Sequence, residues 1–473
     1  MKVESGRNLN PTINTLIKIS GALKVKIDDL IKVVITISLS VLLSGQSQAA
    51  EKQRIVSISE GIEMVLADSR LIKISLMDNE MAYQDSLMNR SVLLPHVSLK
   101  AAQTYLNYQP ASKFDASEVN TAQKGSLSYG LSVYQTLFDF GKSLSDYKAS
   151  DGIVKARRAA TESVKRMAVL EFITAYFDLL ETDKLISVFE KEAASLTSYL
   201  GDIGHLYEQG VVVKNDVLPA RVRLADVKQK LIAASNAKEV ALAHLNNILS
   251  LPLTGKLALT DIEMKAVNFP DMESAWNMAK AQRPEVLFID DQALASKAAE
   301  RAKVAGNLPV IYADGGYSYT QNKYQVHQSN YSAVIGAKMD LYDGGLTQAQ
   351  VSKERAHQKQ LEIQKDKLIE DIKFEIENSY FALKNSYEKV CVARDALDQA
   401  RENVRFYRRK YVAGSATPTE VLEAIAQEAM AQTNYSSNDY EVKRSYGKLM
   451  YSMGIDLSLI YERMENRKNG YTN

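Results

Sequence analysis

Glu420 and Glu423 carry the clearest chemical signal of the chain, because residues at i and i+3 lie on one face of a helix. Repeated around an axis, such a pair makes acidic rings that favour cations. Glu420 also closes the run Thr417-Pro418-Thr419-Glu420, a capping box with proline at the first helical position. Lining and capping are compatible, and the residues leave both open. Glu423 has no capping role and otherwise reads as a solvated side chain. Other chemistry is missing from the pattern. His96, His205, His244, His327 and His357 show neither an HExxH motif nor paired ligand spacing. The single cysteine, Cys391, excludes an intramolecular disulfide or a thiolate metal cluster within one chain, and reads as a small apolar residue in a helix. No catalytic residue, metal or cofactor is expected.

The glutamates belong to a pattern that occurs twice. Tyr207, Gly210 and Asp216-Val217-Leu218 recur as Tyr411, Gly414 and Glu420-Val421-Leu422, 204 residues later. Leu137-Phe138-Asp139-Phe140-Gly141 recurs as Leu341-Tyr342-Asp343-Gly344-Gly345 at the same offset. The step from Asp139 to Asp216, and from Asp343 to Glu420, is 77 residues in both copies. A segment that keeps its length reads as a rod whose two ends must stay in register.

The bulk numbers fit a folded chain. Among 473 residues, 58 are basic and 57 acidic, a net charge of +1 that gives no bias toward nucleic acid. A hydrophobic share of 46% with 24% charged argues against disorder. The strongly apolar run Val33–Leu43 follows Lys32 and precedes the small residues Ser44–Ala50. Too short to span a bilayer, it reads as a signal peptide over 32–50, cut after Ala49 or Ala50, with no nearby cysteine for a lipid. Residues 8–31 resemble the closing helices of a phage-repressor helix-turn-helix domain without room for a recognition helix. Residues 1–31 are therefore set aside as a cytosolic or spurious extension.

Two repeats follow, 51–255 and 256–460, with a tail at 461–473. In each, a helical period (Ser59–Leu94, then Asp271–Asn307) ends at Leu94-Pro95 or Leu308-Pro309. The period then changes to two. Strands are expected at about 95–108 and 126–139, around the polar loop 109–124, and at about 309–320 and 330–342. Their alternation places Leu127, Tyr129, Leu131 and Val133 on one face and Ser128, Gly130 and Ser132 on the other. That suits a barrel wall between lipid and water, and the tyrosines at the strand ends suit a bilayer interface. From Pro95 to Asp139 the chain takes 44 residues, against 34 from Pro309 to Asp343. After each strand pair the helical period returns, to about Tyr207 in the first copy. The return leg carries an a/d seam of Val217, Leu224, Leu231 and Leu245, paralleled by Ala220, Val227, Ala234, Ala241 and Ile248.

Four strands cannot close a barrel, and an open edge in lipid leaves backbone groups unpaired. The chain must therefore oligomerise, and three copies supply twelve strands. The expected fold is mainly α with a β-barrel portion, a duplicated helix–strand–strand–helix repeat whose strands close only between chains. A soluble or surface coiled-coil scaffold or adhesin is the alternative.

Taken together, the two Leu-Pro breaks, the two Asp-Gly motifs, Arg283-Pro284-Glu285 and the duplicated Gly-x5-Asp/Glu-Val-Leu turn resemble the TolC-like outer-membrane efflux proteins over about 55–460. The resemblance implies a homotrimer whose 12-stranded outer-membrane β-barrel continues into a periplasmic α-helical coiled-coil barrel, a passive exit duct for drug efflux or type I protein secretion. Its partners would be a periplasmic adaptor, an inner-membrane pump and outer-membrane lipid. It implies that Tyr411 and Asp216 close the periplasmic aperture, with Glu420 and Glu423 beside them. It also implies that the turn residues Gly210, Val211, Val412, Ala413 and Gly414 meet the adaptor. Where the family has an arginine five residues after the tyrosine, this chain has Ala416. A hydrogen bond between Tyr411 and Asp216 would then have to do the closing.

Overall fold

A computed structural model describes residues 54–264 and 269–469, the side chains of 466–469 excepted. The extension 1–31 and the signal peptide at 32–50 lie outside the described residues. The chain divides into two units. The smaller joins Arg54 and Ile55 to Lys256–Ala258, and strand β1 (Arg54–Val56) pairs with β6 (Leu257–Leu259). The larger holds Val56–Gly255 and Leu259 onward.

Helices α1 (Ile58–Asp68) and α2 (Arg70–Ser91) lead into β2 (His96–Tyr105). A short hairpin, β3 (Ala111–Phe114) and β4 (Ser117–Asn120), precedes β5 (Gly125–Phe138). Two long helices follow, α3 (Lys142–Glu208) and α4 (Lys214–Ile248). The order then returns as α5 (Met272–Gln282), α6 (Pro284–Val304), β7 (Val310–Thr320), β8 (Ser329–Lys338), α7 (Leu346–Val412) and α8 (Pro418–Ser452), before a last helix α9 (Leu457–Asn469). Helices α3 and α7 each have 67 residues, and α4 and α8 each have 35. At ~1.5 Å per residue, the longer pair spans about 100 Å.

The Asp-Gly motif is the device that starts each long helix. Asp139 accepts from the amides of Gly141 (3.1 Å) and Ser143 (2.8 Å), and Asp343 from those of Gly345 (2.9 Å) and Thr347 (2.8 Å). The carboxylate satisfies amides that the first helical turn leaves without partners. Gly141 and Gly345 sit at φ 83° and 85°, so the chain swings from strand to helix at a residue without a Cβ penalty.

Three readings of the sequence are corrected. The helical stretch from Ser59 to Leu94 is two helices, parted at Ser69, whose extended ψ of 125° ends α1 and opens α2. The stretch from Asp271 to Asn307 is likewise parted, because Pro284 holds Arg283 out of the helical region (ψ 122°). The polar loop 109–124 contains the hairpin β3–β4, which turns through Asp115 at φ 54°. Its strands are four residues each, with Phe114 and Val119 their only large apolar side chains, so no run of apolar alternation announces them. The hairpin spans ten residues, 111–120, and accounts for the longer first loop. The segment set apart at 461–473 opens inside α9, and Tyr461 is fully buried with its ring 6.2 Å from that of Phe177.

Strands β2, β5, β7 and β8 form one antiparallel sheet in the order β2-β5-β7-β8. Register sorts the faces. Leu99 pairs with Leu131 and Val97 with Val133 on one side, while Ser98 and Ser132 meet on the other and hydrogen bond at 2.8 Å. Tyr129, Tyr319, Tyr317 and Tyr331 make a ladder of ring contacts at 4.8–6.4 Å on the apolar face. Leu99 (75%), Tyr331 (80%) and Ile335 (79%) are far more exposed than a soluble sheet would leave them. Among the described residues no helix is long and apolar enough to cross a membrane.

Helix α3 is the central member of the helical part, packed against α2, α4, α6 and α8, while α7 packs on α6 and α8. Buried cations tie these helices together. Arg283 bridges Glu285 (3.2 Å) and Glu375 (2.5 Å), which gives Arg283-Pro284-Glu285 its structural role. Arg444 of α8 reaches Asp178 (2.9 Å) and Glu181 (2.7 Å) of α3. Burial raises the Asp178 carboxyl above the usual range, and the Arg444 charge opposes that shift.

Candidate functional site

The glutamates of the opening pattern stand at the end of the helical part where α3 turns into α4 and α7 into α8. Both turns have the same backbone. Gly210 donates to the Tyr207 carbonyl and Val211 to that of Leu206, while Gly414 donates to Tyr411 and Ser415 to Lys410, all at 2.9–3.0 Å. These are paired C-terminal caps that require a left-handed residue, supplied by Gly210 (φ 76°) and Gly414 (φ 73°). Val211 (67% exposed) and Val412 (88%) stand out into solvent, as do the glycines and Ala413.

Behind the turns lies an apolar cluster drawn from all four helices. Leu196, Tyr199 and Ile203 of α3 pack with Val217 and Ala220 of α4, Val404 of α7 and Val421 of α8. The expected seam of α4 faces inward, with Val217, Ala220, Val227 and Leu245 buried. Its one polar interruption, Lys238, pairs with Asp183 of α3 at 2.7 Å. Tyr411 lies against this cluster, its ring 6.1 Å from that of Tyr199.

The sequence-predicted residues are brought to this one end, but not into the bond expected of them. Within the chain the Tyr411 hydroxyl is buried and has no hydrogen-bond partner. The Asp216 carboxylate is committed to the Val213 amide (3.1 Å), where it serves as a helix cap. Burial raises the Tyr411 phenol above its ordinary value, and the negative charges of Asp202 and Asp216 add to the shift. Glu420 accepts from the amide (2.7 Å) and the hydroxyl (2.8 Å) of Thr417, so the capping role is realised. Those hydrogen bonds, the amide's first, hold its carboxyl below the usual glutamate range. Glu423 accepts from Gln427 at 3.1 Å, and both glutamates are exposed.

Residues missed in the sequence do much of the joining. Glu192, almost wholly buried, takes two hydrogen bonds from Arg223 (2.9 and 3.2 Å) and ties α3 to α4. Tyr199 donates to the Pro418 carbonyl at 2.5 Å, and Arg408 donates to Ser195 at 2.5 Å. A tyrosine on the apolar stripe of a long helix is a legible signal, since a buried phenol needs a partner. The partner is not legible, because it lies 219 residues away.

Known proteins share this architecture. The family model described as outer membrane efflux protein matches residues 62–250 and 276–455. Outer membrane protein TolC of Escherichia coli is 23% identical over 452 residues, covering 88% of this chain and 87% of TolC. Alkaline protease secretion protein AprF of Pseudomonas aeruginosa is 20% identical, covering 86% of each chain. Among solved structures, the Campylobacter jejuni CmeC outer membrane channel superposes with a TM-score of 0.74 at 15% identity, over 86% of this chain and 89% of that one. The two matched segments coincide with the two copies of the internal pattern and together take in most of the chain. The chain belongs to the outer membrane efflux protein family, whose members are channels of the outer membrane and not enzymes.

Proposed function

We propose that this outer-membrane efflux protein acts as a homotrimeric exit duct, passive and gated at its helical tip. An inner-membrane pump would load it through a periplasmic adaptor. The observation that carries the reading is the sheet β2-β5-β7-β8, which has two open edges and an exposed apolar face. In lipid those edges must pair. The sheet has an even number of antiparallel strands, so β8 of one chain meets β2 of the next in the same antiparallel sense. A head-to-tail contact of that kind closes into a ring. Three chains give twelve strands, enough to surround a lumen. The exposed Val211, Val412 and Ala413, with Gly210 and Gly414 beside them in sequence, form the surface offered to an adaptor. Tyr411, Asp216, Glu420 and Glu423 form the aperture; the relatives TolC and AprF suit a duct that serves efflux or secretion.

The test is extraction and mass. The protein should leave the membrane only with detergent and run as a heat-sensitive species of three chains by gel and light scattering. A water-soluble monomer would overturn the reading and favour the coiled-coil scaffold.

A further inference from the structure

The polar face of the sheet, which a closed barrel turns toward its water-filled interior, is mostly bare of bulk. Across the register, Ser98, Ser132, Gly316 and Ser332 make one row of that face. The next row toward the helices changes character. His96 pairs with Tyr134 and Tyr134 with Asp314, while Tyr312, two residues before Asp314 on the same face, pairs with Gly336. Apart from the His96 imidazole, Tyr134 and Tyr312 supply the only rings on that face among the described residues of the paired strands. They stack, with 5.5 Å between centroids and 29° between planes. Gly336 makes the room, because a Cβ there would lie 2.5 Å from Cζ of Tyr312, whose ring therefore lies over the neighbouring strand. Covering a glycine accounts for Tyr312 alone. Tyr134 is 38% exposed and covers none.

We propose that the Tyr134–Tyr312 pair is a resting site for planar aromatic cations passing through the barrel, with the two rings as the platform and Asp314 as the counter-charge. The inference rests on the reading of the protein as a duct and adds a cargo contact inside its wall. A tyrosine face carries negative quadrupole density, so it takes an aromatic ring in offset stacking and a cation above its plane. Asp314 stands directly across from Tyr134 in the register and makes no ion pair among the described residues. Two lysines share the face. Lys338 follows Gly336 by two residues along β8, and Lys100 lies two rows beyond Tyr134, so neither is directly across from a ring of the pair. The remaining wall offers hydroxyls and backbone, which give a flat ring nothing to stack on. Tyr134 stands five residues before Asp139 and Tyr312 three after Pro309, so the site lies where the strands give way to helices. Three chains would set six rings there. A shallow, exposed platform of this kind holds cargo weakly enough to let it leave.

The test is single-channel recording of the full-length protein in planar bilayers, with probes added on the barrel side so that none must pass the helical tip. N-methylacridinium, a planar aromatic cation, should interrupt the current with a dwell about tenfold longer than tetraethylammonium, which has the charge without the ring. Tyr134→Leu with Tyr312→Leu should abolish that difference, and Tyr134→Phe with Tyr312→Phe, which keeps both rings, should preserve it. Tyr134→Leu alone leaves Tyr312 over Gly336 and should still shorten the dwell, which covers the case of a double variant that does not assemble. Asp314→Asn should shorten the acridinium dwell about threefold and leave that of naphthalene sulfonate, an aromatic anion, unchanged. If the channel conducts but Tyr134→Leu holds acridinium as long as wild type does, or the sulfonate dwells as long as acridinium, the resting site is overturned and the duct stands. If wild type does not conduct, the duct and the site fall together.

Discussion

The two tip turns share a backbone and differ in almost every side chain. Each lies between a 67-residue and a 35-residue helix, each ends in the same pair of backbone bonds, and each has a glycine near φ 75°. The residues around that frame diverge. Tyr207 is 46% exposed, whereas its equivalent Tyr411 packs on the apolar cluster. Val213 has no acceptor to offer the first turn of α4, so Asp216 alone makes half of a capping box. Thr417 and Glu420 make both halves, and Pro418 sits where a proline costs nothing. In α4 the proline is Pro219, inside the helix, where it removes a backbone bond. The difference teaches that length and glycine fix the turn while the caps decide how firmly it is held. By that measure the second turn is the stiffer one, and it is the one bonded to α3.

The largest test of the shared frame is the glycines. An added Cβ at Gly210 or Gly414 meets no atom within 4 Å, so only the positive φ opposes it. Gly210→Ala and Gly414→Ala should each cost about 1–2 kcal/mol of local stability and speed amide exchange in the turn about 5–30-fold. Unequal costs would mean that packing, which differs between the turns, matters more than backbone.

The caps give a smaller effect with opposite signs. Val213 already has the extended backbone of a cap (φ −96°, ψ 161°), close to that of Thr417 (φ −85°, ψ 155°). Val213→Thr should therefore stabilise the start of α4, and Thr417→Ala should destabilise the start of α8, each by about 1 kcal/mol. Hydrogen exchange of 214–219 against 418–423 reads both. If Val213→Thr leaves exchange at 214–219 unchanged, the missing acceptor is not what separates the turns.

Much of this was legible in residue spacing. The offset of 204 predicted equal rods, and Gly210 and Gly414 marked turns, because each depends on residues close in sequence. The fourfold sheet was legible because lipid on one face and water on the other enforce strict alternation at Leu127–Val133 and Tyr331–Leu341. What escaped was either polar or remote. The β3–β4 hairpin has strands of four residues, too short for Phe114 and Val119 to betray its period. Asp139 and Asp343 stood out as a recurring motif, yet their work as helix starters needs the turn geometry at Gly141 and Gly345. Tyr199 reads as one more apolar position until Pro418 is brought to it, and Ala416 hides the fact that the copies are joined elsewhere.

The smallest difference between the turns is one of protons. The Glu420 carboxylate accepts two bonds from Thr417, which hold its carboxyl below the ordinary 4.5. A group whose value is lowered on folding stabilises the fold above its unfolded value and loses that contribution as pH falls through the folded one. The start of α8 should therefore lose protection as pH drops below 4.5, once the intrinsic dependence of exchange on pH is removed. Glu420→Gln keeps a carbonyl oxygen that can accept from the Thr417 amide but cannot titrate, so the acid step should vanish while protection at neutral pH largely remains. High salt should leave most of the step in place, because its leading cause is hydrogen bonding to Thr417, with the more distant Lys410 charge contributing least. An acid step that persists in Glu420→Gln would assign it to another carboxylate and remove the cap as the reason the second turn is held more firmly.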